Sequence, residues 1–337
     1  MKVFAATSPD TFAFDEIAVP KPSDYEVLVR HEGCLICNST DWMIVSSLYA
    51  TPGYPVVLGH ESFGKVVEVG AKVRNFRLGD RVICSNAIPT GYNGSYYSTW
   101  GGFAEYGIGG DYEALLADGA SVSGPYAYRR RYRANYKIDA NLSVEEAGLI
   151  FPLSETASCI LQVPEIVGKE VAVFGTGTAG YTVAMFLKQR GAKTVAVFGR
   201  RESRAQLALT FGADFAGRTD QAYESGRQYD VVFEVTGNSK VFARGLPFLR
   251  EGGILAVYGV SPYPYELDLA RSPGSFEIRR VSPQVGSALE EVQQLMRAGK
   301  IPVSAILSHI WNFQDAEKAF RQVKAGEVIK GLVRISQ

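Results

Sequence analysis

The chain has few cysteines and histidines, no excess of either charge and no long hydrophobic run. Its 337 residues include four cysteines and three histidines, and 35 basic residues balance 35 acidic ones. Four scattered cysteines are too few for a disulfide framework, and a neutral chain lacks the basic excess of a nucleic-acid-binding surface. No apolar run approaches the ~20 residues of a membrane span, and the first residues lack a signal-peptide core. We therefore expect a cytoplasmic protein with neither a nucleic acid nor a membrane as partner.

Hydrophobic residues, by contrast, make up 46% of the chain, which is enough to form the cores of more than one domain. The first 145 residues are β-rich, with glycine and proline between the strand candidates 26–31, 56–58, 64–69 and 81–83. Beyond them strands and helices alternate, which predicts an α/β fold with a doubly wound parallel sheet. We predict helices over 144–161, 182–189, 204–211, 241–249, 288–298 and 313–323, and strands over 170–174, 194–198, 230–235, 253–259 and 331–335.

The clearest motif is a glycine loop between a strand and a helix. Gly175, Gly177 and Gly180 form G-x-G-x-x-G directly after the apolar strand 171–174. The first glycine permits a tight turn, the second lets the backbone approach a pyrophosphate, and the third allows the helix to pack closely. This pattern predicts a Rossmann half, over 171–204, that binds a nicotinamide dinucleotide. The predicted binding residues are Gly175, Thr176, Gly177, Thr178, Ala179, Gly180 and, after a later strand, Thr236.

The end of the next strand indicates which dinucleotide binds. NAD enzymes place a carboxylate about 20 residues beyond the glycines to hold the ribose 2′-hydroxyl. Here Gly199 holds that place, followed by Arg200 and Arg201. Arginines suit a 2′-phosphate, which they grip by paired hydrogen bonds. We therefore expect NADP(H) to be preferred over NAD(H), although the two arginines could also be ordinary surface charges.

A second cluster combines cysteine, histidine and carboxylate. Cys34 and Cys37 open it, and His60 with Glu61 follows in a G-H-E sequence. These side chains belong to the ligand set of zinc. The two cysteines alone could equally be a buried core pair.

Several motifs together resemble the medium-chain dehydrogenases/reductases of the zinc-dependent alcohol and polyol type. They are Gly59-His60-Glu61 with Gly64-x5-Gly70, Gly79-Asp80-Arg81-Val82, Gly101-Gly102-Phe103-Ala104-Glu105-Tyr106 and the glycine loop. The resemblance covers nearly the whole length. It implies a β-rich GroES-like catalytic domain beside the Rossmann domain. We assign residues 1–153 and 288–337 to the former and 154–287 to the latter.

The resemblance also implies roles for individual residues. Cys37 and His60 correspond to ligands of a catalytic zinc, and Glu61 is a close neighbour and sometimes a ligand. A hydroxyl just after the cysteine relays the alcohol proton, which implies Ser39 or Thr40. The stretch here is one residue longer than the family pattern, so both stay open.

The chain departs from the family pattern in two places. Where the family has a cysteine or glutamate as third zinc ligand, this chain has Phe151, which cannot ligate. Glu155 lies one helical turn further along; it could bind the metal, act as an acid or base, or be an ordinary exposed carboxylate. Residues 85–107 contain no cysteine, so we expect one catalytic zinc and no structural zinc.

These observations predict a zinc-dependent, NADP(H)-preferring oxidoreductase. It would interconvert a secondary alcohol, such as a polyol or sugar, and its ketone, as a dimer or tetramer. Three alternatives are a zinc-free enone or quinone reductase, an epimerase without net redox change, and a cofactor-binding protein without enzymatic activity. The aromatic stretch 91–100 could contact a substrate or simply pack, and the arginine-rich run 129–133 could bind a substrate anion or lie in solvent.

Overall fold

The computed structural model describes residues 1–48, 53–83, 91–92, 96–98, 100–120, 133 and 135–336. Elements are numbered in chain order. The strands are β1 (Lys2–Ser8), β2 (Thr11–Glu16), β3 (Glu26–Ile36), β4 (Val56–Val57), β5 (Glu61–Val69), β6 (Arg81–Ile83), β7 (Gly91–Tyr92), β8 (Tyr97–Ser98), β9 (Tyr106–Gly110), β10 (Lys137–Ile138), β11 (Glu170–Phe174), β12 (Thr194–Gly199), β13 (Phe215–Arg218), β14 (Tyr229–Glu234), β15 (Leu249–Val257), β16 (Phe276–Arg280), β17 (Leu307–Asn312) and β18 (Lys330–Arg334). The α-helices are α1 (Thr40–Val45), α2 (Tyr112–Ala117), α3 (Val144–Leu161), α4 (Thr178–Gln189), α5 (Glu202–Gln206), α6 (Thr219–Ser225), α7 (Ser239–Gly245), α8 (Val285–Arg297), α9 (Val303–Ile306) and α10 (Ala316–Ala325). Within the described residues, no helix is both long and apolar enough to cross a membrane.

The chain divides into two compact units. The first comprises Met1–Phe151 and Gln293–Gln337, and the second comprises Pro152–Val292. The boundaries expected from the sequence fall after residues 153 and 287.

The first unit is built on two sheets. One has the strand order β2-β1-β4-β8-β7, and the other has the order β10-β6-β5-β3-β18-β17, with β9 also paired to β3. Helix α10 buries Ala316, Ala319, Phe320 and Val323, at the three- and four-residue spacing that puts side chains on one helix face. The Phe320 ring lies 5.2 Å from Phe103 and 5.5 Å from Phe4, so the core of this unit is strongly aromatic.

The second unit holds one parallel sheet with the order β13-β12-β11-β14-β15-β16. Its central strand β11 buries four consecutive residues after Glu170, as expected for a strand covered on both faces. In this order the chain reverses direction across the sheet between β11 and β14, where dinucleotides bind at the carboxyl ends of the strands. The predicted doubly wound parallel sheet is confirmed.

Some predicted element boundaries were wrong. Helix α4 begins at Thr178, not near residue 182, because the glycine loop itself supplies the first helical turn. The predicted helices 204–211 and 241–249 are each a short α-helix followed by a 3₁₀ turn, Leu207–Phe211 and Leu246–Phe248. Strands β13 and β16 were missed because they are the two edges of the sheet and stay largely exposed, so neither shows a clear apolar pattern.

Candidate active site

The register of three neighbouring strands brings one corner of the first unit together. Antiparallel pairing places Glu61, the first residue of β5, opposite Leu35 of β3. On the other side of β3, antiparallel pairing places Gly331 of β18 opposite Ile36. Cys37 directly follows β3, and Lys330 opens β18. Side chains that are 269 residues apart in the chain, Glu61 and Lys330, therefore meet at the end of β3.

Three potential ligands converge at this corner. One ligand atom each from Cys37, His60 and Glu61 lies within 4.8 Å of the other two. His60 and Glu61 are buried, with 7% and 2% exposure, and Cys37 is half-buried. The structure thus brings together the thiol, imidazole and carboxylate that the sequence singled out.

Asp41, in α1, orients this group from behind. Its Oδ1 lies 3.2 Å from His60 Nδ1, and its Oδ2 accepts a hydrogen bond of 2.8 Å from the backbone N–H of Cys37. Engaging Nδ1 fixes the ring and leaves Nε2 on the side of Glu61, 3.7 Å from its Oε1. Burial lowers the pKa of His60, but Asp41 and Cys37 outweigh it, and the pKa lies well above its usual value. The surroundings of this imidazole therefore favour a cation.

Lys330 completes the cluster. Its side chain is 5% exposed, and its Nζ lies 2.6 Å from both carboxylate oxygens of Glu61 and donates a hydrogen bond to Oε1. Burial lowers the pKa of Lys330, but the nearby Glu61, Cys37 and Asp41 raise it by more. The net shift of the pKa is upward, so the lysine stays charged.

The ligand atoms of this cluster suit a divalent cation. Cys37, His60 and Glu61 offer a sulfur, a nitrogen and an oxygen as ligand atoms within 4.8 Å of one another, and Asp41 holds the histidine ring through its other nitrogen. A zinc ion suits these ligand types.

Aromatic rings flank the same imidazole. The Trp100 ring centroid lies 5.3 Å from that of His60, tilted by 48°, and the Phe151 centroid lies 6.4 Å away at an interplanar angle of 79°. Phe151, which replaces the family's third ligand, thus fills the space beside His60 with an apolar edge.

The two candidate hydroxyls adjoin the cluster in sequence. Ser39 directly precedes α1 and is exposed, and Thr40 is its first residue and half-buried. A proton relay through either remains a prediction. The other sequence candidate, Glu155, lies in the second unit, where it is half-buried on α3. Its role as ligand or acid–base group also remains a prediction.

The glycine loop has the close packing that its sequence predicts. Gly177 precedes α4 and has no side chain that could cap it, and the amino-terminal end of a helix favours the binding of an anion. A Cβ at Gly180 would overlap the carbonyl oxygen of Gly175, and one at Gly175 would lie 2.6 Å from Val235 Cγ2. Only glycine fits at these two positions, where helix and strand approach most closely.

The surroundings of Gly199 also leave no space for a side chain. A Cβ there would overlap the side chain of Thr176 from the glycine loop. The position at which an NAD enzyme carries its carboxylate therefore has no room for one. Arg200 and Arg201 follow and are both exposed, and Arg218 lies opposite Gly199 on β13.

A buried carboxylate supports the loop that contains Thr236. Glu234, 1% exposed at the end of β14, accepts hydrogen bonds from the backbone N–H groups of Thr236 and Gly237, at 2.7 and 3.0 Å, and from the Thr236 hydroxyl. Burial raises the pKa of Glu234 despite these hydrogen bonds. The carboxylate fixes the backbone at the carboxyl end of the strand next to β11, on the dinucleotide edge of the sheet.

Sequence reasoning missed several of these residues. Asp41 had a signal in the family pattern that surrounds Cys37, but it received no role. Lys330 and Glu234 carry no local motif, and only the fold shows their neighbours. Trp100 belongs to the aromatic stretch that the sequence singled out, but its position beside His60 was not predicted. Cys84, residues 126–132 and part of the aromatic stretch lie outside the described residues. Arg133 is described, and its Nε donates a hydrogen bond of 2.8 Å to the Tyr112 hydroxyl.

Comparisons with known proteins agree with this geometry. Residues 23–116 match the family model of the alcohol dehydrogenase GroES-like domain, and residues 179–300 match that of the zinc-binding dehydrogenases. D-arabinitol dehydrogenase 1 of Uromyces fabae is 25% identical over 97% of this chain and 95% of its own. L-threonine 3-dehydrogenase of Pyrococcus furiosus is 29% identical over 94% of this chain and 92% of its own.

The fold has solved counterparts as well. The crystal structure of benzyl alcohol dehydrogenase from Acinetobacter calcoaceticus superposes with a TM-score of 0.83 at 18% identity, covering 99% of both chains. The chain belongs to the zinc-type medium-chain alcohol and polyol dehydrogenases, as its motifs predicted. It is therefore an oxidoreductase, and the alternative of a protein without enzymatic activity is wrong.

Proposed function

We propose that this chain is a zinc-dependent oxidoreductase that interconverts a secondary alcohol and its ketone, with NADP(H) preferred over NAD(H). In the oxidative direction the reaction would convert the alcohol and NADP⁺ into the ketone, NADPH and a proton. The observation that carries the proposal is the Cys37–His60–Glu61 cluster, in which one ligand atom of each residue lies within 4.8 Å of the other two. A bound zinc would supply Lewis acidity that lowers the pKa of an alcohol oxygen.

The chain's own residues would divide the remaining work. Cys37, His60 and Glu61 hold the metal, and Asp41 keeps the histidine ring in the orientation that leaves Nε2 available. Lys330 balances part of the charge of Glu61. Ser39 or Thr40 passes the alcohol proton toward solvent.

Three features of the second unit support the cofactor assignment. The amino-terminal end of α4 suits a pyrophosphate. The overlap of a Cβ at Gly199 with Thr176 excludes the carboxylate that would select NAD, and the exposed Arg200 and Arg201 suit a 2′-phosphate. Homo-oligomerisation and a cytoplasmic location stay predictions from the sequence.

A zinc-free enone or quinone reductase is the alternative that one observation favours, namely Phe151 beside His60. The two differ in what Cys37 does. Cys37→Ser should remove zinc and lower kcat by about a hundredfold or more, because it deletes a metal ligand. Cys34→Ser, a control three residues earlier on β3, should keep both zinc and activity. Full activity of Cys37→Ser without zinc would contradict the proposal and favour the reductase.

A further inference from the structure

The rings beside His60 form a fixed apolar wall. Phe151 is 6% exposed, and Trp100 is partly buried against the aromatic core of the first unit. Both rings pack against the imidazole of His60, Trp100 at a centroid distance of 5.3 Å and Phe151 at 6.4 Å. Side chains held in this way offer a surface of defined shape to whatever lies next to His60.

A substrate at the proposed metal site would lie close to this wall. A zinc ion lies ~2 Å from the histidine nitrogen that holds it. The carbon groups of an alcohol bound through its oxygen therefore enter the immediate surroundings of His60, where they meet Trp100 and Phe151. Apolar groups gain from leaving water against such rings.

The charged groups of the cluster are engaged with one another. Asp41 holds His60 and the Cys37 backbone, and the Lys330 ammonium is bound to Glu61. The extra hydroxyls of a polyol would lose their hydrogen bonds to water on entering this corner. Position 151, where the family has a cysteine or glutamate, carries a phenylalanine and offers them no hydrogen bond. A buried hydroxyl without a partner is strongly disfavoured.

We propose that Trp100 and Phe151 make this enzyme selective for secondary alcohols and ketones that carry an apolar or aromatic group next to the reacting carbon, against polyols. This inference rests on the proposed function and narrows its substrate class. It places the specificity in two side chains, one of which stands where the family has a metal ligand.

The first test compares 1-phenylethanol with D-arabinitol as substrates of the zinc-loaded enzyme with NADP⁺. We expect kcat/KM to be at least about tenfold higher for 1-phenylethanol. A ratio of one or less, with arabinitol turned over, would overturn the selectivity while leaving the proposed function intact.

Variants of Trp100 test whether the ring at this position causes the substrate selectivity. Trp100→Ala should lower kcat/KM for 1-phenylethanol about tenfold and leave that for 2-propanol, which has only methyl groups to place against the ring, within about twofold. Trp100→Phe should restore most of the loss because it keeps an aromatic face. Equal losses for both alcohols would contradict a specificity role.

A binding measurement makes the outcome independent of turnover. Acetophenone should quench tryptophan fluorescence without cofactor, and Trp100→Phe should remove most of this quenching. Trp311→Phe, a matched change elsewhere in the same unit, should leave it unchanged. If the loaded enzyme oxidises none of the alcohols, the proposed function fails and the quenching alone decides this inference: quenching that survives Trp100→Phe overturns it.

Discussion

The two units build their sites in opposite ways. In the second unit the dinucleotide loop is one continuous stretch, and its shape depends on backbone contacts that only glycine permits. In the first unit the candidate metal cluster is made of side chains from the first residues of β5 and β18, from helix α1 and from Cys37 and His60 in loops, and two of them, Glu61 and Lys330, are 269 residues apart. The glycine loop depends on one continuous stretch of sequence, whereas the cluster of the first unit depends on how distant strands pair. Substitutions far away in the sequence should therefore disturb the cluster but not the glycine loop.

The largest effect is expected at Lys330, the residue of the cluster farthest along the chain. Lys330→Met removes the ammonium that lies 2.6 Å from the buried Glu61 carboxylate and should cost about 3 to 5 kcal/mol of unfolding free energy in the metal-free protein. Zinc should recover part of that loss. Lys137→Met, which removes an exposed lysine 3.5 Å from Asp80, should cost at most about 1 kcal/mol. Denaturant unfolding with and without zinc checks this, and equal costs for both variants would break the comparison.

Gly180 is the counterpart in the local site. Gly180→Ala places a methyl group on the carbonyl oxygen of Gly175 and should weaken NADP(H) binding about a hundredfold, or roughly 2.7 kcal/mol. Gly217→Ala, whose Cβ would make an ordinary contact of 3.4 Å, serves as control. Titration calorimetry measures both affinities, and unchanged NADP(H) binding by Gly180→Ala would argue against the loop as the binding site.

The choice of cofactor sharpens the comparison further. Arg200→Asp combined with Arg201→Ala should weaken NADP(H) binding about ten- to thirtyfold, because charge-assisted hydrogen bonds to the 2′-phosphate are lost, and should barely affect NAD(H). Arg271→Ala, an exposed arginine of the same unit, should change neither. Equal losses for both cofactors would refute the 2′-phosphate assignment.

The last prediction concerns a pH dependence, and its origin is a histidine outside the cluster. His31 is fully buried, its Nδ1 donates to the Ala104 carbonyl oxygen at 2.7 Å, and burial lowers its pKa to about 4. The unfolded chain takes up this proton near pH 6.5, whereas the folded chain does so only near 4. Its contribution is thus full above about pH 6.5 and is lost as the pH falls toward 4, with a slope of up to about 1.4 kcal/mol per pH unit.

His31→Gln should remove that slope from the unfolding free energy measured between pH 7 and 4, roughly the window between the unfolded and folded values. His309→Gln should keep it. A wild-type curve that His31→Gln leaves unchanged would show that the buried histidine is not the cause. His31 lies on β3, the strand that ends directly before Cys37. The His31→Gln measurement therefore reports on the stability around β3 and not on the candidate metal ligands that follow it.

What could be predicted from the sequence follows the same division. The glycine loop, β11 and α3 were found because each is local and strongly patterned. Cys37, His60 and Glu61 were found because the family motif names them, although nothing in their spacing shows that they meet. Lys330 could not be found, since the register of β18 on β3 depends on the folded chain. Trp100 was noticed as part of the aromatic stretch 91–100, but its packing on His60 could not be predicted for the same reason. The edge strands β13 and β16 were missed for a different reason, namely weak apolar patterning.

The central claim is that the Cys37–His60–Glu61 cluster holds a catalytic zinc. The most direct measurement is zinc content together with NADP⁺-dependent oxidation of a secondary alcohol, on one preparation purified without chelator, then stripped and reloaded. We expect about one zinc per chain, activity that disappears on stripping and returns with zinc, as for a site with three protein ligands and one open position. Less than about half a zinc per chain at full activity, or activity that survives stripping, would contradict it.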